Sequence, residues 1–232
     1  MERLLDFARG PLFALTFGFM LLALLRLVVV QATALLHGKG VQLRRAPWRQ
    51  IVADSITWAV PLHHLIRGTV IFSSASFLLH VGLIIVPLFL ADHVVLWERL
   101  LGVGLPAIRQ GFADALTLLT LGCLLVLLGC RTFVARQRAV SRPMDYLLLL
   151  AIAGPFATGF LASHPGINPF PWEWMMLLHL LGAELLFVLV PTTKLAHVVL
   201  YAFDRISAVH WQLRPGAGAR VAEALFGSEA RV

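Results

Sequence analysis

The chain has 232 residues, 59% apolar and 13% charged, with the apolar residues in blocks of membrane length. That excludes a soluble globular domain and predicts one all-α integral membrane domain. The formal net charge of +7 would suggest nucleic acid in a soluble protein, but here the basic residues lie between the apolar runs, where topology accounts for them and no nucleic-acid partner is expected.

Five spans are expected, over about 12–36, 73–96, 112–131, 145–162 and 173–200. Each approaches or exceeds the roughly 17 residues that a helix needs to cross hydrocarbon. The first apolar run is too long for a cleavable signal and lacks a small-residue cleavage site. Arg26 lies inside it, and a charge inside a span asks for a reason.

The segment 38–70 is long for a connection and mixes charges with Trp48 and Trp58. An amphipathic helix lying on the cytoplasmic surface of the membrane suits it. His63 and His64 are adjacent, so they leave a helix on different sides and make a poor pair for one metal. Their expected role is surface or partner contact.

The second span holds His80 and His93, about 19.5 Å apart along a helix and rotated by about 220°, so they do not share a face of a straight helix. Pro87 lies between them and removes one backbone bond, so a kink or local unwinding there can re-aim His93. The third span carries Cys123 and Cys130, which form no CxxC or CxxCH pattern and read as packing residues. Asp114 and Asp145 lie near span ends and read as solvated or capping residues.

The loop 162–173, ASHPGINPFPWE, is rich in proline and aromatics. A quinone ring needs an apolar slot with a few polar groups at its carbonyls. His164, Glu173, Asp92 and Glu98 are the candidates at this depth; the alternative is an interfacial cap over the helices. The fifth span, WMMLLHLLGAELLFVLVPTTKLAHVVLY, carries His179 and His197, 18 residues apart. On one continuous helix that is about five turns, so both rings leave one face about 27 Å apart. Two imidazoles so placed suit two stacked haem irons, or else anchor the helix ends at the interfaces. Glu184 lies about 140° around the helix from His179 and could take a proton or pair with a neighbouring helix.

Lys and Arg set the orientation. Fourteen fall in 37–70, 131–142 and the C-terminal end, including Lys194, against Arg3, Arg9, Arg99 and Arg109 on the other side. The positive-inside rule then predicts the N-terminus outside and the C-terminal segment, 201–232, in the cytoplasm. With helix directions fixed, His80 matches His197 near the cytoplasm, and His93 matches His179 near the outside. Gly82 and Gly182 beside these histidines would admit a flat macrocycle or serve close helix packing.

LHLLGAELLFVLVPTTKLAH resembles the last helix of the gamma, or cytochrome b, subunit of respiratory nitrate reductase. SFLLHVGLI is similar to the opening of that family's second helix, and LLALLRLVV to its first. The resemblance covers about residues 12–214 and implies five helices, two b-type haems held by helices two and five, and quinol oxidation. It carries His80, His179 and His197 over as haem ligands. The family's second ligand on helix two falls at Leu90, which cannot ligate, and His93 is the nearest substitute. Arg26 and Lys194 match basic residues of the family and would face haem propionates; Lys194 could instead snorkel to the interface.

The function expected is that of a dihaem b membrane subunit in a bacterial or archaeal cytoplasmic membrane. It would carry electrons between the quinone pool and an iron–sulfur subunit on the cytoplasmic face, next to a catalytic subunit. The chain has no nucleotide, molybdenum or cluster motif, so it holds no substrate-reducing centre of its own. A haem-free anchor or small transporter is the competing class and leaves four intramembrane histidines without a role. A cytochrome b of a hydrogenase or heterodisulfide-reductase-like complex shares the haems and differs in partner.

Overall fold

The computed structural model describes residues 1–37, 48–59, 70–102, 104–210 and 223. Apart from an isolated bridge between Leu90 and Ile108, every regular element among them is helical. Five helices are long and apolar enough to cross a membrane: Glu2–Leu36, Val70–Phe89, Gln110–Phe133, Pro143–Ala162 and Trp172–Thr192. The protein is therefore a multi-pass membrane protein whose exposed leucines, valines and phenylalanines meet lipid. His63 and His64 lie outside the described residues, as does most of the C-terminal segment. The chain divides into two compact units, Met1–Thr16 with Val60–Leu186, and Phe17–Ala59 with Phe187–Val232.

In the first unit α1 (Glu2–Phe7) opens the first span about ten residues earlier than the sequence suggests and passes through a π-helical turn at Ala8–Leu12. Pro11 lies in that turn and has no N–H to give the ladder, which accounts for the widened turn. Leu5 and Ala8 are buried against Leu177, which fixes this end of the chain on the fifth span.

α6 (Gln110–Phe133) is the central helix of this unit and packs on both α4 (Val70–Phe89) and α8 (Pro143–Ala162). Its buried residues Ala113, Leu116, Thr120, Cys123, Leu124 and Leu127 recur at helical spacing along one stripe. Thr120 is fully buried, and its hydroxyl returns to the Leu116 carbonyl at 2.7 Å. A Cβ at Gly82 of α4 would run into Thr120, so this glycine is the close-packing point of α4 on α6. The short α7 (Ala135–Val140) leads to α8, where Asp145 caps the helix by accepting the Arg142 N–H at 2.8 Å. Asp145 is buried rather than solvated.

The second span differs from the expected 73–96. It ends at Phe89; Leu90 is extended at φ −61°, ψ 134°, and a separate helix, α5 (Ala91–Leu101), follows. The cause is Pro87, and the carbonyls around the break are satisfied locally. The Trp97 indole donates to Pro87 O at 2.9 Å, and the Ile108 N–H donates to Phe89 O at 2.9 Å. In hydrocarbon a break without such partners would cost several kcal/mol per group, on the order of the cost of a buried unpaired amide. α5 stops at Gly102, whose φ of +68° a side chain would oppose.

The second unit holds most of α2 (Phe13–His37), α3 (Trp48–Ala59), the end of α9 (Trp172–Thr192) and α10 (His197–His210). Phe17 meets Phe187 edge-on, with ring centroids 5.4 Å apart. α3 falls in the segment expected to hold an amphipathic helix. It packs on α10, with the Tyr201 hydroxyl donating to Ser55 O at 2.9 Å, and leaves Trp48, Val52 and Ile56 exposed along one side.

One helix over 173–200 is not what forms. α9 ends at Thr192, Thr193 is extended at φ −129°, ψ −169°, and a 3₁₀ turn at Lys194–Ala196 precedes α10. Pro191 cannot donate to the turn before it, and the Thr193 hydroxyl accepts the Leu195 N–H at 3.3 Å, as a helix N-cap does. The five-turn register between His179 and His197 therefore does not apply.

The Leu90 break yields a test. Trp97→Phe keeps an aromatic ring beside Phe13 but strips the Pro87 carbonyl of its donor. It should cost about 1–3 kcal/mol in denaturant unfolding of the detergent-solubilised protein. Parental stability would show that the carbonyl is satisfied in another way.

Candidate functional site

The break at Leu90 brings His93, on α5, to His179, on α9. Their ring centroids lie 6.0 Å apart and their planes are within 7° of parallel. Pro87 and the extended Leu90 turn the chain by the amount a straight helix could not, so the expected re-aiming of His93 is present as geometry.

His179 rests on one turn of α8. Its Nδ1 lies 2.9 Å from the Pro155 carbonyl, which can only accept, so Nδ1 carries the proton and Nε2 keeps its lone pair. A Cβ at Gly159 would come within 2.8 Å of the His179 ring, and one at Gly182 within 3.2 Å of the Pro155 ring. Gly159 and Gly182 thus let α8 and α9 cross with a histidine between them. Gly82 and Gly182 serve helix packing, not a cradle for a macrocycle, because the space a Cβ would enter is already taken by Thr120 and Pro155.

His93 brings a half-buried ring whose Nδ1 is shielded from solvent; the Val86 and Pro87 carbonyls lie beside the ring without a well-formed hydrogen bond to it. The His179–Pro155 bond is also the backbone-carbonyl support that ligating histidines use to hold their tautomer. The near-parallel pair, with the His179 Nδ1 proton held by Pro155 and its Nε2 lone pair free, is a candidate for a bis-imidazole centre such as haem. Among the described residues no three His, Cys, Asp or Glu side chains gather for a metal ion held by protein alone; a haem needs only the two.

The other two expected ligands are exposed residues. His80 is exposed on α4 with Nδ1 2.6 Å from Ser76 O, in the first unit. His197 is exposed as the first residue of α10, with Nδ1 2.8 Å from Lys194 O, in the second unit. Both rings hold their proton on Nδ1, but so does His164 through Phe160 O at 2.8 Å, so that tautomer alone does not mark a ligand. Arg26 and Lys194 are exposed and belong to the second unit.

The four residues considered for a quinone site are not joined. His164 pairs with Asp114, Nε2 to Oδ2 at 3.4 Å, and stacks on Phe160 at a centroid distance of 4.2 Å. Gln110 holds the other Asp114 oxygen at 2.9 Å. Glu173, Asp92 and Glu98 are exposed, and no hydrogen bond or ion pair among the described residues links any of the four to another. Sequence reading missed Asp114 as the partner of His164, and Pro155 and Gly159 as the seat of His179. The sign available for the last two was the AGPFATG run, small residues and a proline inside an apolar span.

The fold and this pair define a multi-pass helical membrane protein with a half-buried histidine pair between α5 and α9. It belongs to the same family as a protein of Nitratidesulfovibrio vulgaris, with which it shares 36% identity over 156 residues, covering 66% of this chain and 67% of the relative. That relative is called simply "Protein", which describes no activity. No protein-family model matches the chain, and no solved structure matches it.

The seat of His179 can be checked by a double-mutant cycle. Gly159→Ala should destabilise by about 1–3 kcal/mol through the clash with the ring. In a His179→Ala background the same substitution should cost much less. Equal costs in both backgrounds would remove the ring contact as the cause.

Proposed function

We propose that the chain is a dihaem b-type cytochrome subunit of a respiratory redox complex, similar to the gamma subunit of respiratory nitrate reductase. It would exchange electrons between the quinone pool and an iron–sulfur subunit, beside a catalytic subunit. The observation that carries the reading is the near-parallel His93–His179 pair at 6.0 Å, with Nδ1 of His179 held by the Pro155 carbonyl. A haem held there by His93 and His179 would supply a one-electron centre, suited to electron transfer rather than to substrate binding.

The protein's own part is to orient and to insulate. Pro155 and Gly159 hold one ring, the Leu90 break aims the other, and α8 and α9 keep water from the pair. The second haem, with His80 and His197, rests on the depth argument from sequence, as do Arg26 and Lys194 as propionate partners. The excess of Lys and Arg in 37–70, 131–142 and the C-terminal segment supports a cytoplasmic C-terminus and a docking face there for the iron–sulfur subunit. A bacterial or archaeal cytoplasmic membrane is the setting this function implies.

Pyridine haemochrome analysis of the purified protein tests the reading. About two b haems per chain are expected. His179→Ala and His93→Ala should each remove the same one, about half of the total, and leave the other spectrum intact. Well-folded protein with no haem sinks the proposal; loss of different haems in the two variants breaks the pairing.

A further inference from the structure

Glu184 lies on α9 within the apolar run LLGAELLFVLV, five residues beyond His179. It is 3% exposed, and neither carboxyl oxygen has a hydrogen-bond partner among the described residues. It does not face lipid. Leu177 and Leu180, seven and four residues earlier on its own face of the helix, pack with Leu5 and Ala8, and Gly182 meets Pro155 of α8. Glu184 is thus a carboxyl inside the bundle.

The charged and titratable groups of the elements packed on α9 in this unit are all otherwise placed. Glu2, Arg3, Asp6 and Arg9 of the first span, Asp92, Glu98 and Arg99 of α5 and Glu173 of α9 itself are exposed. Asp145 of α8 bonds the Arg142 N–H, Tyr146 donates to Arg131 O, and His179 donates to Pro155 O and faces His93. None of them reaches the Glu184 carboxyl. An ionised carboxylate there would sit without a counter-charge, at a cost of several kcal/mol that burial of a Leu or Met would avoid. An ionisable side chain kept inside a span against such a cost points to use of its ionisation.

We propose that Glu184 is a proton-binding site within the membrane. Its carboxyl carries a proton in the resting protein and exchanges it with water that enters the bundle, COOH giving COO⁻ and H⁺ and the reverse. The site goes beyond the haem reading and does not depend on it.

The test uses the full chain in lipid nanodiscs. Infrared spectra at neutral pH should show the C=O stretch of a protonated carboxylic acid, which shifts in D₂O and declines as the pH is raised. The hydrophobic reagent dicyclohexylcarbodiimide adds the O–H of a protonated acid across its N=C bond, and the resulting adduct should map by mass spectrometry to Glu184. Glu184→Gln should lose both the band and the adduct. Absence of the band and of the adduct in folded parental protein overturns the proposal without any variant. A band that persists unchanged in Glu184→Gln, or one that does not respond to pH up to the limit of the fold, overturns it as well. Protection from the reagent by Na⁺ with no protonated band would identify a sodium site in its place.

Discussion

One turn of α8, from Pro155 to Gly159, is the surface on which the interior of the first unit depends. It offers a carbonyl at Pro155 to the His179 ring and, at Gly159, a backbone without a side chain beneath it. A larger residue at Gly159 would push the histidine away; a ring without the carbonyl would lose its fixed proton. Because His179 is held from α8, the partner that meets it from α5 meets a ring of defined plane and tautomer. The histidine pair is as ordered as that crossing of two helices, and Gly182 on α9 keeps the crossing close by admitting the Pro155 ring.

The two breaks in the long helices follow from the rule that backbone groups in hydrocarbon need protein partners. At Leu90 the Trp97 indole and the Ile108 N–H take up the carbonyls of Pro87 and Phe89. At Thr193 the side-chain hydroxyl serves as a cap, and a 3₁₀ turn restarts the helix. A proline precedes each break by two or three residues, and each places a histidine in the first turns of the helix that follows. His93 and His197 are therefore positioned by helix ends, whereas His80 and His179 stand in the middle of continuous helix.

Buried polarity divides the site into satisfied and unsatisfied groups. Thr120, Asp145 and the His179 Nδ1 have partners at hydrogen-bonding distance. Both Glu184 oxygens are buried without one. Buried polar groups are seldom left so, and where they are, a bound group or a chemical task is the usual cause.

The five spans were legible from sequence because transfer to hydrocarbon depends on local composition and length, and each of the five expected spans overlaps a membrane-length helix. The breaks were half legible: Pro87 announced one, but the span was drawn through Leu90 to residue 96, and the Pro-Thr-Thr run was read as continuous helix. Whether a proline bends a helix or ends it is decided by which donors lie nearby, and Trp97 and Ile108 come from later in the chain. The pairing of His93 with His179, the use of Gly82 and Gly182 for packing, the Asp114 partner of His164 and the isolation of Glu184 all needed the tertiary structure. Each is a contact, or the lack of one, between helices distant in sequence, and single-chain periodicity carries no information on which faces meet.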